Sequence, residues 1–496
     1  MSNAIPETVI APPLTVPAKP TATRRLSGEL GTTSLVLSVM AFSAPIVTVA
    51  GYIAFAIGFV GEAAPVAWIV STVALLIFSV GYTTMTRHIP RPGAFYAYIS
   101  LGLGKTFGVG GAYLATLSYM LISAGIYAFA GITISSFLGD VTGLTIPWWL
   151  SAAAVWVIVT ALGHFNIELS AKVLGSVMVL EVILVAIFNV VTLVRGGAEG
   201  LSVAPLDPSR FLNGGAGMAL LFAFGNFIGF EATALYRDEV RDPNRTIPRA
   251  TYISVLLIGG FYALSAYTLI IAFGPSAVDA ANDAPGAMFN TALTTYVGPA
   301  IAQATLLLVM TSALASILSV HNVSARYLHN LSADRALPNW LSAVHPRHAS
   351  PYRASLVAAI AVAVILVPFV LAGVDPSFLQ GAGSGIGTAG VLILMALVSL
   401  AVPLWFKRNG VPAGESRWKV FVAPIVSFIL IGAVVIFALV RFDLLVGGAP
   451  GQYLWMLFIL LGVLLAGCAV ALYFRSARPD WYAKLGRAVE EERTRV

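Results

Sequence analysis

Charge is what this sequence has least of. Of its 496 residues only 10% are Asp, Glu, Lys or Arg, against roughly 25% in a typical soluble domain. So few charges cannot cover the water-facing surface of a chain this long, which excludes an ordinary soluble protein. Cysteine is nearly absent: Cys468 stands alone inside an apolar run, so no intrachain disulfide can form. The six histidines, among them His164, His321 and His345, do not fall at metal-ligand spacing. No HExxH, CxxC, Walker A, nucleophile-elbow or kinase-type motif occurs, which removes the reaction classes that depend on them. No lysine or arginine falls in the middle of an apolar run. The first 25 residues, rich in Pro, Thr and Ala, lack the continuous apolar core of a signal peptide and read as a disordered tail.

What is there is apolar length. Hydrophobic residues make up 58% of the chain, and the mean hydropathy is +0.89. Apolar segments fall near 32–59, 64–86, 106–138, 147–163, 168–194, 214–236, 250–273, 299–330, 353–373, 377–405, 419–441 and 452–474. A bilayer crossing takes about 20 residues, so the chain reads as an all-α integral membrane protein with twelve transmembrane helices. An even number returns both termini to one side. All but three of the 28 Lys and Arg fall on that side, the exceptions being Arg195, Arg210 and Arg441. The positive-inside rule therefore puts both termini in the cytoplasm, with the chain in the cytoplasmic membrane. The pI near 9.4 is then a mark of topology and not of nucleic-acid binding. Residues 1–25 and 476–496 are the tails, 26–405 carry spans one to ten, and 406–475 carry spans eleven and twelve.

Two spans look damaged. In the sixth, Gly225, Asn226 and Gly229 precede the carboxylate of Glu231. A lipid-crossing helix must satisfy its own backbone, so such an interruption is tolerated only where it lines protein or water. The first span holds Ser43-Ala44-Pro45 at mid-depth, followed by Thr48 and Gly51; proline removes a backbone donor and disfavours helix in the residue before it. A lone proline kink is common. Breaks at matching positions of two five-span halves, however, are the mark of an inverted-repeat transporter with its site at the repeat interface.

Other features lie around these breaks. Tyr119, Ser123 and Tyr127 share one face of span three, and Ser312, Ser316 and Ser319 one face of span eight. Such stripes also serve plain close packing of membrane helices. Glu181 lies well inside span five, with Asn189 two turns along the same face. Ionisable groups at membrane depth are costly, so Glu181 and Glu231 are functional candidates by default. The run GAGSGIG at Gly381–Gly387 opens span ten; without the Lys and Ser/Thr of a P-loop it marks tight packing or an extracellular entrance.

Three stretches resemble the amino acid–polyamine–organocation permeases. Pro92-Gly93-Ala94-Phe95-Tyr96-Ala97-Tyr98 is similar to the family's P-G-G-x-Y-x-Y. Phe227-Ile228-Gly229-Phe230-Glu231, then Glu239 and Asp242 to Pro248, looks like its F-x-G-x-E and E-x-x-x-P-x-R-x-I-P. Arg326 through Asp334-Arg335 to Leu337-Pro338 is similar to its signature after span eight. The resemblance covers residues 26–475 and implies a five-plus-five inverted repeat of the leucine-transporter type, with broken helices 1 and 6 and with spans eleven and twelve outside the repeat. It implies secondary active transport of an amino acid or amine, no enzyme chemistry, no metal and no cofactor. Two departures stand out. The family's G-S-G at the first break is here Ser43-Ala44-Pro45, so the carboxylate contact must use other amides or the hydroxyls of Ser43 and Thr48. Where some proton-coupled members carry a lysine on span five, the comparable residue is Glu181.

The expected transporter is thus a proton-coupled amino acid importer. Its substrate site is expected from Ser43, Ala44, Ile46, Val47 and Thr48 on span one; Tyr119, Ser123 and Tyr127 on span three; Phe224, Gly225, Asn226, Phe227 and Gly229 on span six; and Ser316 on span eight. Glu181 and Glu231 compete for the proton, because desolvation disfavours the charged form of a carboxyl. Arg91, Glu239, Asp242 and Arg326 are expected to form a cytoplasmic gate. Polyamine transport, amino acid exchange and sodium coupling remain open alternatives, with a membrane enzyme or sensor a remote one.

Overall fold

A computed structural model describes residues 31–485, apart from 90–94, 166–170, 346–347, 349, 448 and 452–453. The tail 1–25, most of the tail 476–496, Arg91 and the first three residues of the Pro92–Tyr98 signature lie outside the described residues, as does the side chain of Glu239. The described residues form helices and no β-strand. In chain order these are α1 (Thr32–Ser43), α2 (Pro45–Gly51), α3 (Ile53–Val60), α4 (Ala64–His88), α5 (Phe95–Leu103), α6 (Lys105–Thr142), α7 (Trp148–His164) and α8 (Ala171–Arg195). A short α9 (Pro208–Phe211) leads to α10 (Ala216–Gly225), followed by a 3-10 segment (Phe230–Glu239) and α11 (Pro243–Phe273). Next come α12 (Ala277–Asp283), α13 (Met288–Tyr296), α14 (Pro299–Ala333), α15 (Tyr352–Leu371) and α16 (Pro376–Asn409). The last are α17 (Ala423–Val440), α18 (Asp443–Val446), α19 (Trp455–Ala477) and α20 (Pro479–Lys484).

Ten segments among the described residues are long and apolar enough to cross a membrane. The other two expected spans are shorter for physical reasons. α7 has 17 residues, and the sixth span stops after the 10 residues of α10 because its backbone changes course there. Several prolines punctuate the helices rather than interrupt them: Pro45, Pro65, Pro243, Pro299, Pro376 and Pro424 sit in first turns, where the missing N–H has no partner to lose.

The outward faces are apolar. Val157, Val364, Ile436 and Phe458 are each more than half exposed, which suits lipid and not water. Glycine lets the interior helices approach closely. α16 lies along α6, where a methyl on Gly387 would come 2.6 Å from the Ser118 carbonyl oxygen and one on Gly383 2.9 Å from that of Leu121. The GAGSGIG run is therefore a packing face. α19 meets α6 in the same way: a Cβ on Gly467 would stand 2.8 Å from Gly110 Cα. Asn189 is structural as well, donating to Ser265 at 3.1 Å and accepting from Thr268 at 2.6 Å, which ties α8 to α11.

Candidate functional site

The site is built from the two interruptions. Between α1 and α2, Ala44 adopts φ 45° and ψ 73°, a left-handed conformation that costs an L-residue about 1–2 kcal/mol. Pro45 supplies no N–H to α1. The break exposes the last carbonyls of α1 and the first amides of α2, groups that every helix end leaves without an internal partner. Between α10 and the 3-10 segment, Asn226, Phe227 and Ile228 make tight i→i−3 turns, and Gly229 takes φ 112°. A Cβ at Gly229 would sit 2.3 Å from the Phe42 ring. Glycine is needed there both for backbone angle and for space.

A cavity of about 60 Å³ lies where the breaks meet. Phe42, Ser43, Ala44, Val47, Thr48 and Tyr52 line it from the first break, and Phe222, Gly225, Asn226 and Ile228 from the second. Ile122 and Ile126 of α6, Ser316 and Val320 of α14, and Ser384 and Thr388 of α16 close it. No ionisable acid, lysine, arginine or histidine is among these residues. The wall is aliphatic and aromatic, interspersed with hydroxyls and one amide. To one side Tyr52, Phe55, Phe129 and Phe222 gather, with Phe55 and Phe222 stacked at 5.2 Å. There Tyr52 shares a 2.9 Å hydrogen bond with Ser384, and Gln380 donates to the Gly51 carbonyl at 2.7 Å. Beyond the second break, Phe78, Tyr82, Tyr98 and Phe230 form a second aromatic cluster.

The two embedded acids stand behind the wall. Glu231, 3% exposed, accepts from the Tyr119 hydroxyl at 2.8 Å and from the Gly229 amide at 2.8 Å, just before the 3-10 segment. Its own carbonyl accepts from Tyr82 at 2.6 Å. Glu181, 2% exposed, accepts from Ser312 at 3.0 Å and faces the backbone amide of Ile46 at the start of α2. One carboxylate thus joins α8, α14 and α2. Ser312 lies one turn from the cavity-lining Ser316.

Of the residues expected to hold substrate, Ser43, Ala44, Val47, Thr48, Gly225, Asn226 and Ser316 line the cavity. Ile46, Tyr119, Ser123, Tyr127, Phe224, Phe227 and Gly229 do not. α6 is rotated so that Ile122 and Ile126 face inward, while Tyr119 reaches Glu231. Phe224 and Phe227, each at most 1% exposed, pack in the core, and the Ile46 amide is turned to Glu181. Tyr52, Phe222, Val320, Ser384 and Thr388 were not anticipated. Ser384 lies within the glycine run and Thr388 directly after it, where the sequence points to tight packing or an extracellular entrance and not to a substrate wall. Among the gate candidates, Asp242 pairs with Arg245 three residues on at 3.8 Å. Arg237 donates to the Thr86 carbonyl at 2.6 Å, holding the loop after the second break to the end of α4.

A family model described as "Amino acid permease" matches residues 28–466. The chain belongs to this family. It is 28% identical to an uncharacterized transporter of Mycobacterium tuberculosis, over 74% of this chain and 76% of that one. It is 23% identical to the low-affinity putrescine importer PlaP of Escherichia coli, over 74% and 79%. A branched-chain amino acid permease, BcaP of Bacillus subtilis, is 24% identical over 60% and 65%. In fold this permease is similar to MhsT, whose crystal structure holds L-phenylalanine; the TM-score is 0.60 at 15% identity, over 84% of this chain and 100% of that one. The permease is thus a multi-pass membrane transporter with the leucine-transporter fold.

Proposed function

We propose that this permease imports a neutral, aliphatic L-amino acid across the cytoplasmic membrane, coupled to protons, by alternating access of the cavity between the two breaks. The observation that carries this reading is the cavity wall: two opened helices supply backbone dipoles, and no acidic or basic side chain is among the residues that line it. A zwitterion matches that arrangement. Its carboxylate is drawn to the positive end at the start of α2, and its ammonium to the negative end of α10. Val47, Ile122, Ile126, Ile228 and Val320 leave an aliphatic environment for the side chain. A diamine would bring a second charge to a wall with no acid, which is unfavourable.

In this reading spans one to five and six to ten form an inverted repeat, both termini are cytoplasmic, and the loop at Arg237–Arg249 belongs to the inner closure. Glu181 carries the coupling proton, since its carboxyl bridges α8, α14 and the start of α2, and neutralising it loosens all three together. Glu231 fits the role less well, because both its oxygens are already engaged, one by the Tyr119 hydroxyl of α6 and the other by the Gly229 amide.

The test is uptake of radiolabelled L-leucine by proteoliposomes with and without an inward proton gradient. The gradient should drive accumulation. Equal uptake in both conditions would sink proton coupling, and no uptake in either would sink the substrate class.

A further inference from the structure

Two buried side chains outside the cavity lining hydrogen-bond to residues that line it. Trp68 of α4 is fully buried, and its indole N–H donates to Asn226 Oδ1 at 3.2 Å. An indole nitrogen only donates, so it can face only the amide oxygen. Asn226, which lines the cavity, is thereby fixed in orientation, its oxygen turned to Trp68 and the two N–H donors of Nδ2 on the opposite branch. At the other break Tyr262 of α11, also fully buried, places its hydroxyl 3.0 Å from Ser43 Oγ and 3.2 Å from the Ser43 carbonyl oxygen. That carbonyl, freed by the break, also accepts from Thr48 Oγ1 at 3.1 Å. Each anchor occupies an acceptor that would otherwise look into the site.

We infer that Trp68 and Tyr262 are positioning residues that set the hydrogen-bonding polarity of the cavity: by engaging the Asn226 amide oxygen and the Ser43 carbonyl they remove acceptors that would favour a plain amine, which biases the cavity toward a solute bearing a carboxylate. The inference rests on the amino acid reading above and adds a cause for its specificity. Without Trp68, Asn226 is free to turn its oxygen inward and accept from an ammonium. Without Tyr262, the Ser43 carbonyl regains a lone pair for the same purpose. In both cases a carboxylate loses and a plain amine gains. A purely structural loosening would weaken both classes of solute together.

The experiment compares L-leucine with 3-methylbutylamine, which is leucine without its carboxylate, as competitors for uptake of labelled L-leucine by proteoliposomes. The wild type should prefer leucine strongly. Trp68→Phe and Tyr262→Phe each retain a ring but lose the donor, and each should reduce that preference about tenfold, equivalent to about 1.4 kcal/mol. An unchanged preference, or an equal loss for both solutes, overturns the inference. Asn226→Asp provides a second route should Trp68→Phe not fold: it keeps the Trp68 bond, replaces the inward donor with an acceptor, and should reduce the preference in the same direction.

Hydrogen exchange separates this inference from the transport reading. Trp68→Phe should speed exchange over 223–231 and not over 44–51, and Tyr262→Phe the reverse. If the wild type takes up no leucine, the proposed function fails, and the exchange pattern still decides whether the anchors hold the breaks. Unchanged exchange in both variants would refute the anchoring.

Discussion

Gly225→Ala is the substitution whose effect the geometry fixes most closely. The new methyl would lie 2.8 Å from Thr388 Oγ1 and 3.4 Å from its Cγ2. Backbone strain does not enter, because Gly225 ends α10 in helical conformation, where alanine is favoured by about 0.5–1 kcal/mol. The contact itself is overpacking, which costs about 1–3 kcal/mol. Relief by movement is blocked from two directions. Thr388 is β-branched and stiff at χ1, and α16 cannot withdraw because Gly383 and Gly387 hold it against the α6 backbone. The net expectation is a loss of about 1 kcal/mol or slightly more, or roughly five- to tenfold in apparent affinity for L-leucine, with L-alanine affected less because it needs less of the narrowed space. Leucine and alanine competition curves in proteoliposomes read this directly. Thr388→Ala in the same chain removes both clashing atoms and should recover most of the loss, whereas Thr388→Ser keeps Oγ1 and should not. An unaltered leucine affinity in Gly225→Ala, or additive losses in the Gly225→Ala/Thr388→Ala pair, would refute the reasoning.

Three further outcomes are expected. Glu181→Gln keeps an acceptor for Ser312 or the Ile46 amide but holds no titrating proton; its leucine uptake should be the same with and without a proton gradient, and retained gradient dependence would move the proton elsewhere. Tyr119→Phe leaves Glu231 Oε1 without its donor at a site 3% exposed, a loss of about 1–3 kcal/mol to be seen as a lower melting temperature in detergent. Gly387→Ala drives a methyl to within 2.6 Å of the Ser118 carbonyl oxygen; because a backbone atom cannot swing aside, destabilisation should reach at least the upper part of the 1–3 kcal/mol range for overpacking, and a wild-type melting curve would show that α6 and α16 have more freedom than their packing implies.

The breaks were legible in the sequence because their causes are local. Proline lacks a donor wherever it stands, and Gly229 permits a backbone angle that other residues resist, so both positions could be read without knowing what packs beside them. Glu181 and Glu231 were legible for a related reason: an acid in an apolar run stands out whatever the fold. The rotation of α6 was not legible. Apolar residues surround the helix beside the hydroxyl stripe Tyr119–Ser123–Tyr127, a stripe that suits a substrate face and close packing equally, and it is Ile122 and Ile126 that face the cavity. Ser384 and Thr388 were hidden by their glycine neighbours, for which the sequence offered tight packing or an extracellular entrance and the structure shows close packing on α6. Trp68 and Tyr262 were invisible for a deeper reason. A single aromatic in an apolar helix carries no pattern, and its partner lies on a distant helix that only the fold brings near.

The most direct measurement is the competition profile of labelled L-leucine uptake in proteoliposomes, with unlabelled valine, isoleucine, lysine, glutamate and putrescine as competitors. A cavity walled by neutral groups between two opened helices should yield to valine and isoleucine and ignore the other three. Competition by putrescine or lysine equal to that by valine would contradict it, and would place the substrate against Glu181 or Glu231 instead.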